Sequence, residues 1–279
     1  MRIRHLNCAS MCPPSRRFVQ GEGGWLERGH IVCHCLLIEG RGGLILIDTG
    51  LGSALMERRV PLHADVKMLG VQLDPACTAK AQIEALGYQA ADVRDIVVTH
   101  LDFDHAGGLG DFPQARIHVY GVELDAARAR RGFVERSRYW PELWSADTRW
   151  LVHPEAGQRW FDFDAVRALP GEDAEVLLVP LAGHTRGHAG VAVKNRDGWL
   201  LHCGDAYFFH TEIAVDPYCP AGLSLFQRLL AADNRRRLHN QVRLQQLKRE
   251  HGDVELFCAH CPHELRAHQM RQQPAAGGH

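Results

Sequence analysis

The chain has 279 residues, 46% of them apolar and 23% charged, values of an ordinary folded protein and far from those of disordered, collagen-like or coiled-coil chains. Its 32 Lys and Arg against 33 Asp and Glu leave a formal charge of -1, so no global field favours nucleic acid or an anionic membrane, and the expected partner is a small molecule. No apolar run approaches the length that spans a bilayer, and the opening MRIRHLNCAS lacks the apolar core of a secretory signal, which makes a cytoplasmic location the default expectation.

The nine cysteines are an odd count without a regular framework, as expected of reduced thiols rather than a disulfide scaffold. In chain order, the apolar runs Ile31 to Ile38 and Leu44 to Ile47 flank the glycine-rich turn Glu39 to Gly43 and predict a β-hairpin. Cys33 and Cys35 share one face of its first strand and read as small core hydrophobes. Asp74-Pro75 as cap and first-turn proline, Ala79, Ile83 and Leu86 at helical spacing, and Gly87 as a left-handed stop predict a helix. Asp95 to Thr99 predicts a strand that runs directly into His100. Further strands are predicted at Arg116 to Tyr120, Val176 to Val179, Gly190 to Lys194, Trp199 to Cys203 and Val254 to Phe257, with helices at Glu123 to Arg130 and across Leu223 to Glu250.

The stretch from Arg131 to Trp160 carries Phe133, Tyr139, Trp140, Trp144, Trp150 and Trp160 without a clean period, and predicts an irregular covering segment. Nothing resembling a linker divides the chain, so one domain over residues 1–279 is expected, with a mobile tail from Gln272 to His279. The basic runs Arg128 to Arg131 and Arg235 to Arg237 read as solvated helix faces.

Chemistry concentrates in His100-Leu101-Asp102-Phe103-Asp104-His105, where two imidazoles and two carboxylates crowd together, a density that a core has little reason to tolerate without a cation. Gly107 and Gly108 follow, and free the backbone to turn round the site. Three more candidates stand at the ends of apolar strands: His184 in Gly-His-Thr-Arg-Gly-His, Asp205 in His-Cys-Gly-Asp-Ala, and His260 in Phe-Cys-Ala-His-Cys-Pro. A single His or Asp at a strand end usually caps or faces solvent, but four such clusters in this setting predict convergent metal ligands. Cys258 and Cys261 have zinc spacing without a second pair to complete a four-cysteine site, and are read as non-ligating.

In these motifs the chain resembles the metallo-β-lactamase superfamily, and its N-acyl homoserine lactonase-like branch in particular. The resemblance implies an α/β (α+β) fold, a four-layer αββα sandwich of two mixed sheets flanked by helices. The family motif reads His-x-His-x-Asp-His, so His100, Asp104 and His105 match while Asp102 stands where the second His is expected. By this resemblance His100, Asp102 and His184 hold one metal, Asp104, His105 and His260 the other, and Asp205 bridges, with Asp48 supporting from behind. Tyr207, close behind Asp205, is either the tyrosine that bonds the substrate carbonyl in related lactonases or a packing residue. His188 and His202 read as structural.

Asp102 adds negative charge and a harder donor to the first site, which admits iron or manganese, while affinity order keeps two zinc ions as the default. The iron-containing, flavin-dependent branch also carries a carboxylate there, but the chain has no room for its second domain. Two adjacent divalent ions acidify a shared water, so the expected reaction is attack of metal-bridging hydroxide on a lactone or similar ester, with Asp104 shuttling the proton. No Gly-x-Ser-x-Gly elbow offers a serine nucleophile. The alternatives are a glyoxalase II-like thioesterase, against which Asp102 counts, and a catalytically silent scaffold, which has no need of a full ligand set.

Overall fold

Strands that bury both faces show continuous apolar runs rather than alternation, and the strand Ile31–Gly40 shows the consequence. Leu36 and Ile38 point into a core that contains Leu178, Val191 and Phe257, whereas Cys35 and Leu37 point the other way, into a core with Ile83, Leu124 and Ala127. The fold, a computed structural model, describes residues 1–40, 42–168 and 175–272. Apart from Gln272, the expected mobile tail lies outside the described residues, as does Arg41 of the hairpin turn.

Two six-stranded mixed sheets stack face to face. The first runs in sequence order: β1 (Arg2–Met11), β2 (Ile31–Gly40), β3 (Gly43–Ile47), β4 (Val93–Val97), β5 (Arg116–Tyr120) and β6 (Arg149–His153). The second is built from β7 (Gln158–Trp160), β8 (Phe163–Ala168), β9 (Val176–Pro180), β10 (Ala189–Lys194), β11 (Trp199–His202) and β12 (Val254–Phe257). In the first sheet β1, β2 and β3 pair antiparallel while β3, β4, β5 and β6 run parallel to one another, and β11 and β12 are parallel in the second.

One apolar cluster fills the space between the sheets. A second packs the outer face of the first sheet against the helices Ala79–Ala85 and Gly121–Ala129. A third packs the second sheet against the helix Asn234–Glu250 through Leu244 and Leu247. The layers therefore run helix, sheet, sheet, helix, the architecture that the resemblance implied.

Some local expectations need correction. Asp74 caps only a short 3-10 turn, Pro75–Cys77, and the helix proper begins at Ala79 with Thr78 Oγ1 accepting from Ala81 N at 3.1 Å. The helix expected across Leu223 to Glu250 is two helices, Ala221–Leu230 and Asn234–Glu250, the second capped by Asp233. The break has a tertiary cause: Ala232 N and Asp233 N donate to the carbonyls of His184 and Gly183, each at 2.9 Å. The aromatic covering segment is not irregular throughout. It contains the helix Gly132–Arg138 and strand β6, and its rings divide, Trp140 being fully buried against Phe103 while Phe133 is 80% exposed.

Candidate metal centre

Every ligand candidate follows a strand at the same end of the sandwich: Asp48 after β3, His100 to His105 after β4 with Asp104 and His105 in the short helix Phe103–Ala106, His184 after β9, Asp205 after β11 and His260 after β12. The carboxyl ends of strands are where an α/β sheet leaves backbone and side chains free to converge. Here they do converge. Asp205 is the hub, with Oδ2 3.2 Å from His260 Nε2, 3.4 Å from His184 Nε2 and 3.8 Å from His100 Nε2, and Oδ1 3.2 Å from His105 Nε2. Asp102 Oδ2 is 3.1 Å from His184 Nε2 and 3.5 Å from His100 Nε2, and Asp104 Oδ2 is 3.6 Å from His260 Nε2. The seven residues singled out in the sequence are thus one cluster.

The outer nitrogens of the imidazoles are fixed from behind. Asp48, held at φ 53, accepts from Thr99 N at 2.7 Å, from Thr99 Oγ1 at 2.8 Å and from His105 Nδ1 at 2.8 Å. His260 Nδ1 donates to the Val32 carbonyl at 2.8 Å. Because a carboxylate and a carbonyl only accept, these bonds place the protons on Nδ1 and leave the lone pairs of both Nε2 atoms directed toward the centre. His188 Nε2 accepts from Asp205 N at 2.8 Å, and His202 links Gly204 N to the His34 carbonyl, so both histidines position the Asp205 loop.

Gly107 is needed for space rather than for its dihedral, which corrects the sequence expectation: its φ is an ordinary -63°, but a Cβ there would lie 2.3 Å from the Phe103 carbonyl. Gly204 has φ 53 and would drive a Cβ to 2.6 Å from His188 Nε2, so only glycine fits immediately before Asp205.

The residues fit a divalent cation pair. Buried polar atoms are nearly always partnered, yet His100 Nε2, Asp102 Oδ1 and Asp205 Oδ1 are buried with no hydrogen-bond partner among the described residues. His100, Asp102 and His184 offer donor atoms within 4.8 Å of one another, and so do His100, His105 and Asp205. Burial alone would raise the carboxyl pKa of Asp205, but His260, His105 and His184 hold it well below the usual range. Burial would likewise depress His105, but Asp205, Asp48 and Asp104 raise it well above an ordinary imidazole. Charges so strongly coupled in a dry site are what a bound cation would relieve.

Two buried residues that the sequence reading passed over complete the site. Arg138, only 6% exposed, sets Nη1 at 3.6 Å from Asp102 Oδ1 and donates to the His184 and Leu230 carbonyls. Against burial, its charge and that of His100 keep Asp102 ionised, the pKa held well below the ordinary value. Glu123 accepts from Leu101 N and Gly187 N, each at 3.0 Å, and so ties the His100 loop to the His184 loop. Its signal was faint: a carboxylate early in a helix reads as a dipole partner, and its full burial appears only in the fold.

The centre opens into a cavity of about 90 Å³ whose apolar wall includes Met11, Ile31, Phe103, Phe208, Phe226 and Leu230. Tyr207 is placed elsewhere, and its proposed catalytic role is corrected. Its hydroxyl donates to Glu264 Oε1 at 3.0 Å and its ring belongs to the core behind the second sheet, while Phe208, the next residue, supplies the wall.

Fold and centre together define a metallo-hydrolase, and the chain belongs to the metallo-β-lactamase superfamily, whose family model matches residues 28–251. It is similar to a "probable metallo-hydrolase" of Mycobacterium tuberculosis, 37% identical over 265 residues that cover 94% of this chain and 81% of that protein. It is also similar to an N-acyl homoserine lactonase of Bacillus thuringiensis, 27% identical over 205 residues, 70% of this chain and 74% of that one. Among solved structures, an N-acyl homoserine lactone hydrolase with N-hexanoyl-L-homoserine bound at its catalytic metal centre superposes with a TM-score of 0.71 at 20% identity, covering 95% of both chains. No helix among the described residues is long and apolar enough to cross a membrane.

Proposed function

We propose that the protein hydrolyses a lactone, an N-acyl homoserine lactone or a close analogue, at a pair of divalent ions with zinc as the default occupant. His100, Asp102 and His184 would hold one ion, Asp104, His105 and His260 the other, with Asp205 between them. Such a pair supplies a Lewis acid for the carbonyl and lowers the pKa of water toward neutrality. The observation that carries this reading is the convergence of all seven side chains at the floor of an apolar-walled cavity.

What the chain's own groups contribute follows from their places. Phe103, Phe208 and Phe226 exclude water and receive apolar substrate surface. At about 90 Å³ the cavity is far below the ~300–1,000 Å³ of drug-sized sites, so it suits a compact reacting ring whose substituent runs outward past Leu230 and the exposed Met68. Asp104, next to the centre and partly accessible, is placed to carry the proton to the leaving oxygen. Arg138 offsets the negative charge that Asp102 brings. The nine free thiols suit a reducing compartment, which supports the cytoplasm as the location.

Metal analysis followed by a screen of acyl lactones, thioesters and phosphodiesters tests the reading. Lactone opening that is lost on chelation and in Asp205→Ala is expected. Metal-dependent cleavage of thioesters alone would replace the lactone reading with the glyoxalase II-like one.

A further inference from the structure

We infer that Cys33 is a thiolate ligand of the second metal position, joining Asp104 and His260. The inference rests on the metal-centre reading above and goes beyond the seven-residue ligand set. The sequence reading placed Cys33 with Cys35 as a core hydrophobe, and Cys33 does pack with Met11, Ile31 and Leu51, but two residues of separation bring its sulfur, unlike that of Cys35, to the edge of the centre. Cys35 lies among Leu6, Leu37 and Leu46. Cys33 lies at the end of β2 where the loops meet, with its Sγ, an Asp104 oxygen and a His260 nitrogen all within 4.8 Å of one another.

The backbone fixes this meeting. His34 N donates to the Ala259 carbonyl at 2.9 Å, and His260 Nδ1 donates to the Val32 carbonyl at 2.8 Å. The residues on both sides of Cys33 are therefore bonded to the His260 loop, so the thiol and the imidazole are held in one register. Cys33 is 2% exposed, so the position beside Asp104 and His260 is shielded from solvent.

Charge and softness agree with the assignment. On coordination the S–H bond breaks, its proton goes to solvent and a sulfur–metal bond forms. Asp102, Asp104, Asp205 and Cys33 then bring four negative charges to two divalent ions. The pair becomes unlike: a harder position with a carboxylate in place of an imidazole, and a softer one with a thiolate that favours zinc or cobalt over magnesium or manganese.

The test is cobalt(II) reconstitution of the chelated full-length protein, read by near-ultraviolet absorption and by X-ray absorption at the metal edge. The wild type is expected to show a thiolate-to-cobalt charge-transfer band and one sulfur for two metals, at about 2.3 Å in the zinc form. Cys33→Ser is expected to lose the band while visible cobalt bands from the first position persist. The edge spectrum needs only wild-type protein, so misfolding of the variant does not spare the inference. Cobalt bound with nitrogen and oxygen scatterers alone, or a band that survives Cys33→Ser, would overturn the Cys33 assignment and leave the seven-residue centre standing. Failure to bind cobalt at all would overturn both.

Discussion

Among the described residues, two clusters of four buried histidines invite comparison: one interleaves with three aspartates, and the other packs chiefly ring on ring. At the loop end, His100, His105, His184 and His260 interleave with Asp102, Asp104 and Asp205, and unpartnered nitrogen and oxygen atoms face one another. Around Phe257, His5, His34, His202 and His268 pack ring on ring, His5 stacked on His268 at 4.2 Å between centroids. His5 Nδ1 meets His34 Nε2 at 2.7 Å, with no carboxylate in the pair. In the second group burial first, and neighbouring charges after, depress the pKa values of His5 and His34, so these rings are held neutral. The first is not satisfied by protein alone. Burial of imidazole is therefore no sign of a metal site; buried imidazole interleaved with unpartnered carboxylate is.

The largest test of that contrast removes a ligand. His105→Ala is expected to lose at least one metal equivalent and to cut hydrolysis by more than the ~10–100-fold that loss of an outer partner costs; unchanged metal content, measured by elemental analysis, would refute the ligand assignment. His34→Ala, in the other group, is expected to leave metal content unchanged. A smaller effect follows at Asp48, where Asn keeps the size but weakens the hold on His105 Nδ1 and Thr99. Metal affinity is expected to fall by about 10–100-fold with the fold intact, read by competition with a chromophoric chelator.

Arg138 sharpens the comparison further, because it places a guanidinium beside Asp102 at the edge of the centre. Arg138→Gln strands a buried charge in the apo protein, a loss of about 3–5 kcal/mol, whereas bound metal takes over the neutralisation. Urea unfolding with and without zinc is expected to show a large deficit only in the chelated sample. An equal deficit in both would mean that Arg138 matters for packing alone.

How much of this was legible beforehand depended on range. The edges of β3, β5 and β12 follow from apolar runs bounded by turn residues, and the seven clustered or strand-end ligands of the first motif and its partners follow from residue chemistry. β1 was missed because Arg2, Arg4 and Asn7 interrupt its pattern, and its burial comes from pairing with β2. The helix break before Asn234 was missed because Ala231 and Ala232 carry no breaker signal; the cause is bonding to the His184 loop. Arg138, Glu123 and Cys33 could not be seen as site residues because each reaches the centre from an element distant in sequence. Tyr207 failed by one position, since adjacent residues on an extended segment face opposite ways.

Acid titration of the chelated protein separates the two histidine groups by sign. For the ring-stacked group, burial lowers His268 to about 4 from 6.5 against the opposing pull of Glu255, and burial followed by the charges of His268 and His202 lowers His5 to about 2. The unfolded chain then binds protons that the folded one refuses, so stability is full above pH ~6.5 and falls as pH drops toward 4, by up to about 1.4 kcal/mol per unit for each ring. His105 and His260 are raised instead, Asp205 foremost among the charges that overcome burial, so their contribution is present below 6.5 and lost as pH rises through the raised values. His268→Phe keeps the stack on His5 and removes one depressed group. Its urea midpoint is expected to fall less steeply between pH 6.5 and 4.5 than that of the wild type, by about one such increment. His260→Phe is expected to keep the wild-type slope in that window and to differ only above pH 6.5, where it no longer loses stability as pH rises. Matching slopes in the two variants would show that the groups titrate alike, and the contrast drawn from their carboxylates would not hold.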